Sequence, residues 1–314
     1  MDPASSPSRR ALLRWMAAGA AGTLAACRAG DLARDVAKTS AAAAAKPQEA
    51  PMPPPPSSSS RMPAVFVGHG SPMTVLDRVK GPEMARATAG LRRPDAILVV
   101  SAHFEVAPPS LGAVEPIPLV YDFYGFPDEM YQVRYPSPGA PTLANRVAAL
   151  LGGESKVRRD PERGLDHGAW CPLAWLYPKA DVPVLELSLP TDDPRRLFEM
   201  GRALAPLRDE NVLILGSGNV VHNLRRTGSD ATPTPAWASD FDAWTAATLS
   251  ARRYDALVDW RKQAPAPSMA HPTDEHWNPL LVVAGAAADG GAVPTYPLTG
   301  FEGASISRRC ARIG

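Results

Sequence analysis

From Met62 onward, short apolar runs bounded by Gly, Ser or Pro alternate with longer stretches of helical periodicity. The runs at 64–68, 96–102, 112–115, 183–188 and 211–216 are too short for helices. Their length and flanks predict buried strands. Helical patterns fall at 76–90, 141–151, 194–207, 237–262 and 278–287. Pro141 suits a first helical turn, and Ser137-Pro138-Gly139 supplies the preceding bend. Strands interleaved with helices predict an α/β fold, a three-layer sandwich with a central mixed sheet flanked by helices. About 250 residues are ample for a single domain with one sizeable core. No internal repeat interrupts the alternation.

The segment before Met62 has a different pattern. Ser8-Arg9-Arg10-Ala11-Leu12-Leu13-Arg14 resembles a twin-arginine export signal, and a weakly apolar stretch follows from Trp15 to Ala26. That stretch is shorter than the roughly 20 apolar residues a membrane span needs. Leu24-Ala25-Ala26-Cys27 resembles a bacterial lipobox, which makes Cys27 a candidate lipid anchor. Residues 1–27 therefore read as a targeting signal. Residues 28–61, rich in Ala, Pro and Ser, read as a disordered tether that cannot bury a core. The expected location is exported, either periplasmic or membrane-anchored on the periplasmic side.

Composition excludes more than it selects. A net charge of +1 gives no electrostatic footprint for nucleic acid. Beyond the leader, Cys171 and Cys310 form no CxxC pair, so a thiolate zinc site is not expected and both read as unpaired structural cysteines. Gly216-Ser217-Gly218 is a lone GxG, too little for a nucleotide site.

The six histidines change the picture. His69 and His103 end strand runs, and His222 follows the run at 211–216 through the turn Gly216-Ser217-Gly218-Asn219 and is expected to open a helix. Open α/β sheets bind ligands at the carboxyl ends of their strands, so three imidazoles at three such ends imply one shared metal site. His271-Pro272-Thr273-Asp274-Glu275-His276 is the richest donor cluster, ahead of the helix at Asn278. Either Asp274 or Glu275 could add a carboxylate ligand, or His276 could complete an all-nitrogen site. In Gly164-Leu165-Asp166-His167-Gly168, Asp166 either orients His167 for proton transfer or caps a helix. The loop Tyr121-Asp122-Phe123-Tyr124-Gly125-Phe126-Pro127 is aromatic enough to wall a pocket for an aromatic ligand.

Together, His69-Gly70-Ser71-Pro72, Ser101-Ala102-His103, Asp166-His167-Gly168, Ser217-Gly218-Asn219-Val220-Val221-His222-Asn223 and Pro272-Thr273-Asp274-Glu275-His276 resemble, in order, the class III extradiol ring-cleavage dioxygenases. The nearest likeness is to the 4,5-DOPA extradiol dioxygenase group, and it runs over 62–314, the expected catalytic domain.

The resemblance implies a metal-dependent enzyme that inserts O2 into a catechol ring and opens it to a semialdehyde. It implies metal-binding roles for His69, His103, His222 and His276, with His222 either a ligand or an adjacent base. His167 maps to a catalytic position beside substrate or oxygen, and His271 falls on no family position. Fe(II) is the implied catalytic ion, and Zn(II) fits the same donors. The expected partners are a small aromatic diol and O2, with no nucleic acid. Competing readings are a zinc-dependent hydrolase, which lacks an HExxH motif here, and a non-catalytic metal- or partner-binding protein of the Memo type.

Overall fold

The computed structural model describes residues 61–314. The leader and nearly all of the tether lie outside the described residues. No helix among the described residues is long and apolar enough to cross a membrane.

The strands are β1 (Ala64–Gly68), β2 (Ala96–Glu105), β3 (Ser110–Leu111), β4 (Arg158–Arg159), β5 (Val184–Leu189), β6 (Val212–Gly218), β7 (Thr295–Leu298), β8 (Phe301–Glu302), β9 (Ile306–Ser307) and β10 (Cys310–Ile313). Eight of them form one sheet in the order β4-β3-β5-β2-β6-β1-β10-β7, and β8 pairs with β9. The central strands β5, β2, β6 and β1 run parallel. Strand β3 joins one side antiparallel to β5, and β10 and β7 extend the other side antiparallel. The sheet is therefore mixed, as expected.

The helices are α1 (Lys80–Met84), α2 (Pro141–Leu150), α3 (His167–Leu176), α4 (Pro194–Leu204), α5 (Ala236–Ser250), α6 (Tyr254–Val258), α7 (Trp260–Gln263), α8 (Pro267–Ala270) and α9 (Asn278–Ala286). Alternation along the central strands feeds two separate cores, because successive side chains point to opposite faces. Phe66, Leu98, Val100 and Ile214 pack with α2, α4, α5 and α9. Val65, Val67, Ile97, Val99, Leu213 and Leu215 pack with α3 and Met84. Helix α9 is buried along its whole length, which explains its lack of a polar face.

Three expected elements differ. The helix expected at 76–90 shrinks to α1 because the Asp77 carboxylate accepts from the Val79 and Lys80 amides, restarting the chain there. The helix expected at 237–262 breaks where Arg252 takes a left-handed φ of 55°. The strand expected at 112–115 instead pairs only at Ser110–Leu111; beyond Gly112 the chain leaves the sheet and Ala113 donates to the Arg163 carbonyl. The C-terminal strands β7 to β10 were not anticipated, being short, and β7 and β8 only partly buried.

Candidate active site

Strands β2, β6 and β1 are adjacent and parallel, so their carboxyl ends open on one place. His69 directly follows β1, and its amide donates to the Gly218 carbonyl at the end of β6. Gly70 turns the chain away with φ +64°, a conformation that a side chain would strain. His103 lies within β2, where the pairing with β5 shifts between Val100 and Glu105. Such irregularities re-aim side chains at functional rims. His222 does not open a helix. It makes an isolated bridge to Ile306, and Asn223 then caps a short 3-10 turn at Leu224–Arg226.

His167 is the first residue of α3, and His276 lies two residues ahead of α9. Gly218 lets the His276 segment approach, since a Cβ there would collide with the His276 carbonyl. The Asn219 amide donates to that same carbonyl at 3.0 Å.

Five of the six imidazoles converge. Ring centroids lie 5.1 Å apart for His69 and His103, 5.2 Å for His69 and His276, and 5.0 Å for His103 and His276. His167 lies 4.0 Å from His103, and His222 stacks on His276 at 3.4 Å. Ligating atoms of His69, His103 and His167 all fall within 4.8 Å of one another, as do those of His222, Glu275 and His276. His271 is elsewhere: it is buried among Phe241, Trp260 and Trp277, with Nε2 on the Val220 carbonyl at 2.8 Å.

Hydrogen bonds on the far side of three of the rings fix which nitrogen is free. The Ser217 hydroxyl gives its proton to the Gly168 carbonyl, so its oxygen must accept from His69 Nδ1. His69 Nε2 is therefore a bare lone pair. Glu275 accepts from His276 Nδ1 at 3.0 Å, which likewise frees its Nε2. Asp122 accepts from His167 Nδ1 at 2.8 Å and also from the His167 amide. Burial holds His69 and His276 well below the usual imidazole range. Burial also lowers His103 and His222 to about 4. These imidazoles are neutral near pH 7, the form that binds metal.

The residues fit a divalent cation. His69 Nε2 and His103 Nε2 lie 3.3 Å apart, close to the separation of two tetrahedral nitrogens each about 2.0–2.1 Å from a common metal. Carboxylate and hydroxyl partners behind metal-binding rings are the usual way such ligands are oriented. Asp274 is committed elsewhere, in an ion pair with Arg261. Glu275 orients His276.

Of the two readings of Asp166, the structure bears out the cap and not the orienting role. Asp166 caps α3, accepting from the Ala169 amide, from Ser101 and from Arg163, and does not touch the His167 ring. The orienting acid is Asp122, 45 residues away in sequence. No spacing signal marks it; its place in the aromatic loop was the available hint. That loop does wall the site. Phe123 packs edge-on to His167, and Phe123 and Phe126 line a pocket of about 590 Å³ shared with the five imidazoles. Lys80, Asp230 and Glu302 also line it, and none was singled out in the sequence. Cys171 and Cys310 are both free and buried.

A mixed α/β sheet with convergent neutral imidazoles and an aromatic wall at its strand ends defines a metalloenzyme site for a small aromatic ligand. Residues 65–300 match the family described as the catalytic LigB subunit of aromatic ring-opening dioxygenase, and the chain belongs to that family. It is similar to 4,5-DOPA dioxygenase extradiol of Escherichia coli (strain K12), 42% identical over 263 residues, 81% of this chain and 96% of the relative. The protein of the same name from Beta vulgaris is 42% identical over 231 residues, 71% of this chain and 86% of the relative. The crystal structure of an uncharacterized Escherichia coli K12 protein superposes with a TM-score of 0.69 at 38% identity, covering 81% of this chain and all of that one. The chain is an extradiol ring-opening dioxygenase, an oxidoreductase acting on an aromatic diol and O2.

Proposed function

We propose that the enzyme uses Fe(II), held by His69, His103 and His276, to open a DOPA-like catechol to a semialdehyde. The observation that carries this reading is the convergence of bare imidazole nitrogens beside a phenylalanine-walled pocket. The names of the relatives support the DOPA-like substrate. Bound Fe(II) supplies the redox chemistry that couples O2 to the ring, which Zn(II) in the same nitrogen-rich site would not.

The chain supplies the rest. Ser217 and Glu275 fix the tautomers of His69 and His276, so Nε2 of each faces inward. His222, half-exposed to the pocket, takes the proton from a diol hydroxyl. His167, anchored by Asp122 at Nδ1, holds and returns a proton from Nε2 during ring opening. Phe123 and Phe126 pack on the ring and exclude water.

Metal analysis after anaerobic iron loading tests the assignment. Alanine at His69, His103 or His276 is expected to abolish stoichiometric iron, and alanine at His271 to retain it. Full iron in His276→Ala would contradict the ligand set. We further propose that the enzyme is exported and tethered by lipid at Cys27, the reading supported by the arginine-pair leader and lipobox-like sequence. Cys27→Ser should then move the protein from the membrane fraction to the soluble one; an unchanged distribution would refute the tether.

A further inference from the structure

We propose that Lys80, Asp230 and Glu302 read the substituent on the aromatic diol, and that Glu302 selects substrates whose side chain carries an ammonium group. The inference rests on the catechol reading above and names the substrate class within it.

These three are the formally charged side chains, Lys, Arg, Asp or Glu, among the described residues lining the pocket. A pocket of about 590 Å³ lies in the range that holds drug-sized ligands, so a bare diol would leave room for a side chain. Lys80 Nζ sits between the two acids, 2.8 Å from Asp230 Oδ2 and 3.3 Å from Glu302 Oε1. One ammonium against two carboxylates leaves this three-residue cluster, apart from the metal site, with a net negative charge.

The deficit is localised. Asp230 is engaged at both oxygens, by Lys80 and by the Gly303 amide at 3.1 Å. Glu302 Oε2 has only the Ser71 amide, at a long 3.4 Å. A carboxylate oxygen can accept more than that, so Glu302 keeps spare capacity. Its Oε2 also lies against Gly70, where a Cβ would meet it at 2.6 Å. Glu302 and the five imidazoles line the same pocket. The Glu302 side chain is 18% exposed, so solvent screens it only partly.

A substrate ammonium would enter on the side of the deficit and donate to Oε2. A substrate carboxylate would have to draw Lys80 away from its two partners and sit beside their negative charge. An amino-acid side chain satisfies the same subsite through its ammonium.

The test uses full-length, iron-loaded enzyme and three catechols sharing a two-carbon chain at ring position 4, ending in an amine, a carboxylate or hydrogen. Specificity is read as kcat/KM for O2 uptake, and affinity as anaerobic Kd. The amine is expected to exceed the carboxylate by about tenfold or more in both, with the uncharged catechol between them. Glu302→Gln should collapse the amine-to-carboxylate ratio, and Glu302→Lys should invert it. Ratios within one variant cancel any change in metal loading or fold. Turnover of the uncharged catechol with no charge preference, or a preference that survives Glu302→Gln, overturns the inference and leaves the catechol reading intact. No uptake with any of the three overturns that reading and the inference with it.

Discussion

Three of the five imidazoles in the pocket are defined as much by what holds the outer nitrogen as by where they point. Ser217, Glu275 and Asp122 stand behind His69, His276 and His167 in turn. Asp122→Asn should keep iron bound yet lower kcat about 10–100-fold, because an amide can hold the ring without fixing its tautomer as a carboxylate does. A kcat within twofold of the parent, measured with iron content matched, would show that Asp122 is only a loop contact. The histidines were legible in the sequence because each lay in a short motif at or near the end of an apolar run or the start of a helical pattern. Their partners were not. Asp166 sits next to His167 in sequence but is turned inward by Ser101 and Arg163, while Asp122 arrives from a loop 45 residues away.

The three adjacent parallel strands β2, β6 and β1 convert separate sequence motifs into one site. Glycine at the end of β6 makes the last part of that assembly possible, since the His276 segment crosses over Gly218. Gly218→Ala should therefore push the His276 backbone away and reduce iron stoichiometry, with the far-ultraviolet circular dichroism spectrum unchanged. Normal iron content in that variant would mean that the segment can shift without moving its ring. The central strands were legible because their buried apolar runs are continuous. The breaks in the helical segments were not, since Asp77 capping and the left-handed Arg252 are decided by local geometry that periodicity does not encode. The C-terminal strands β7 and β10 escaped for a related reason: four residues each, their pattern shows little alternation.

Across the whole molecule, the burial that depresses five imidazoles ties stability to pH. His103 and His222 are lowered to about 4 and His271 to about 3 by burial, against 6.5 for a free imidazole. In the window from about pH 6.5 down to 4 the unfolded chain binds these protons and the folded chain does not. Stability of the metal-free protein is thus complete above about pH 6.5 and falls as the pH drops through that window. Urea midpoints should be clearly lower at pH 5 than at pH 7.5, and equal midpoints would mean that the histidines are not neutral in the fold. The central claim, that this imidazole cluster is an oxygen-activating site for a catechol, has a more direct test. Full-length protein is stripped of metal, reloaded anaerobically with Fe(II), and given DOPA while O2 uptake and the yellow semialdehyde are followed together. The account predicts coupled uptake and colour, both lost in His222→Ala with iron still bound. Stoichiometric iron with neither uptake nor colour, for DOPA and for other catechols, would contradict it.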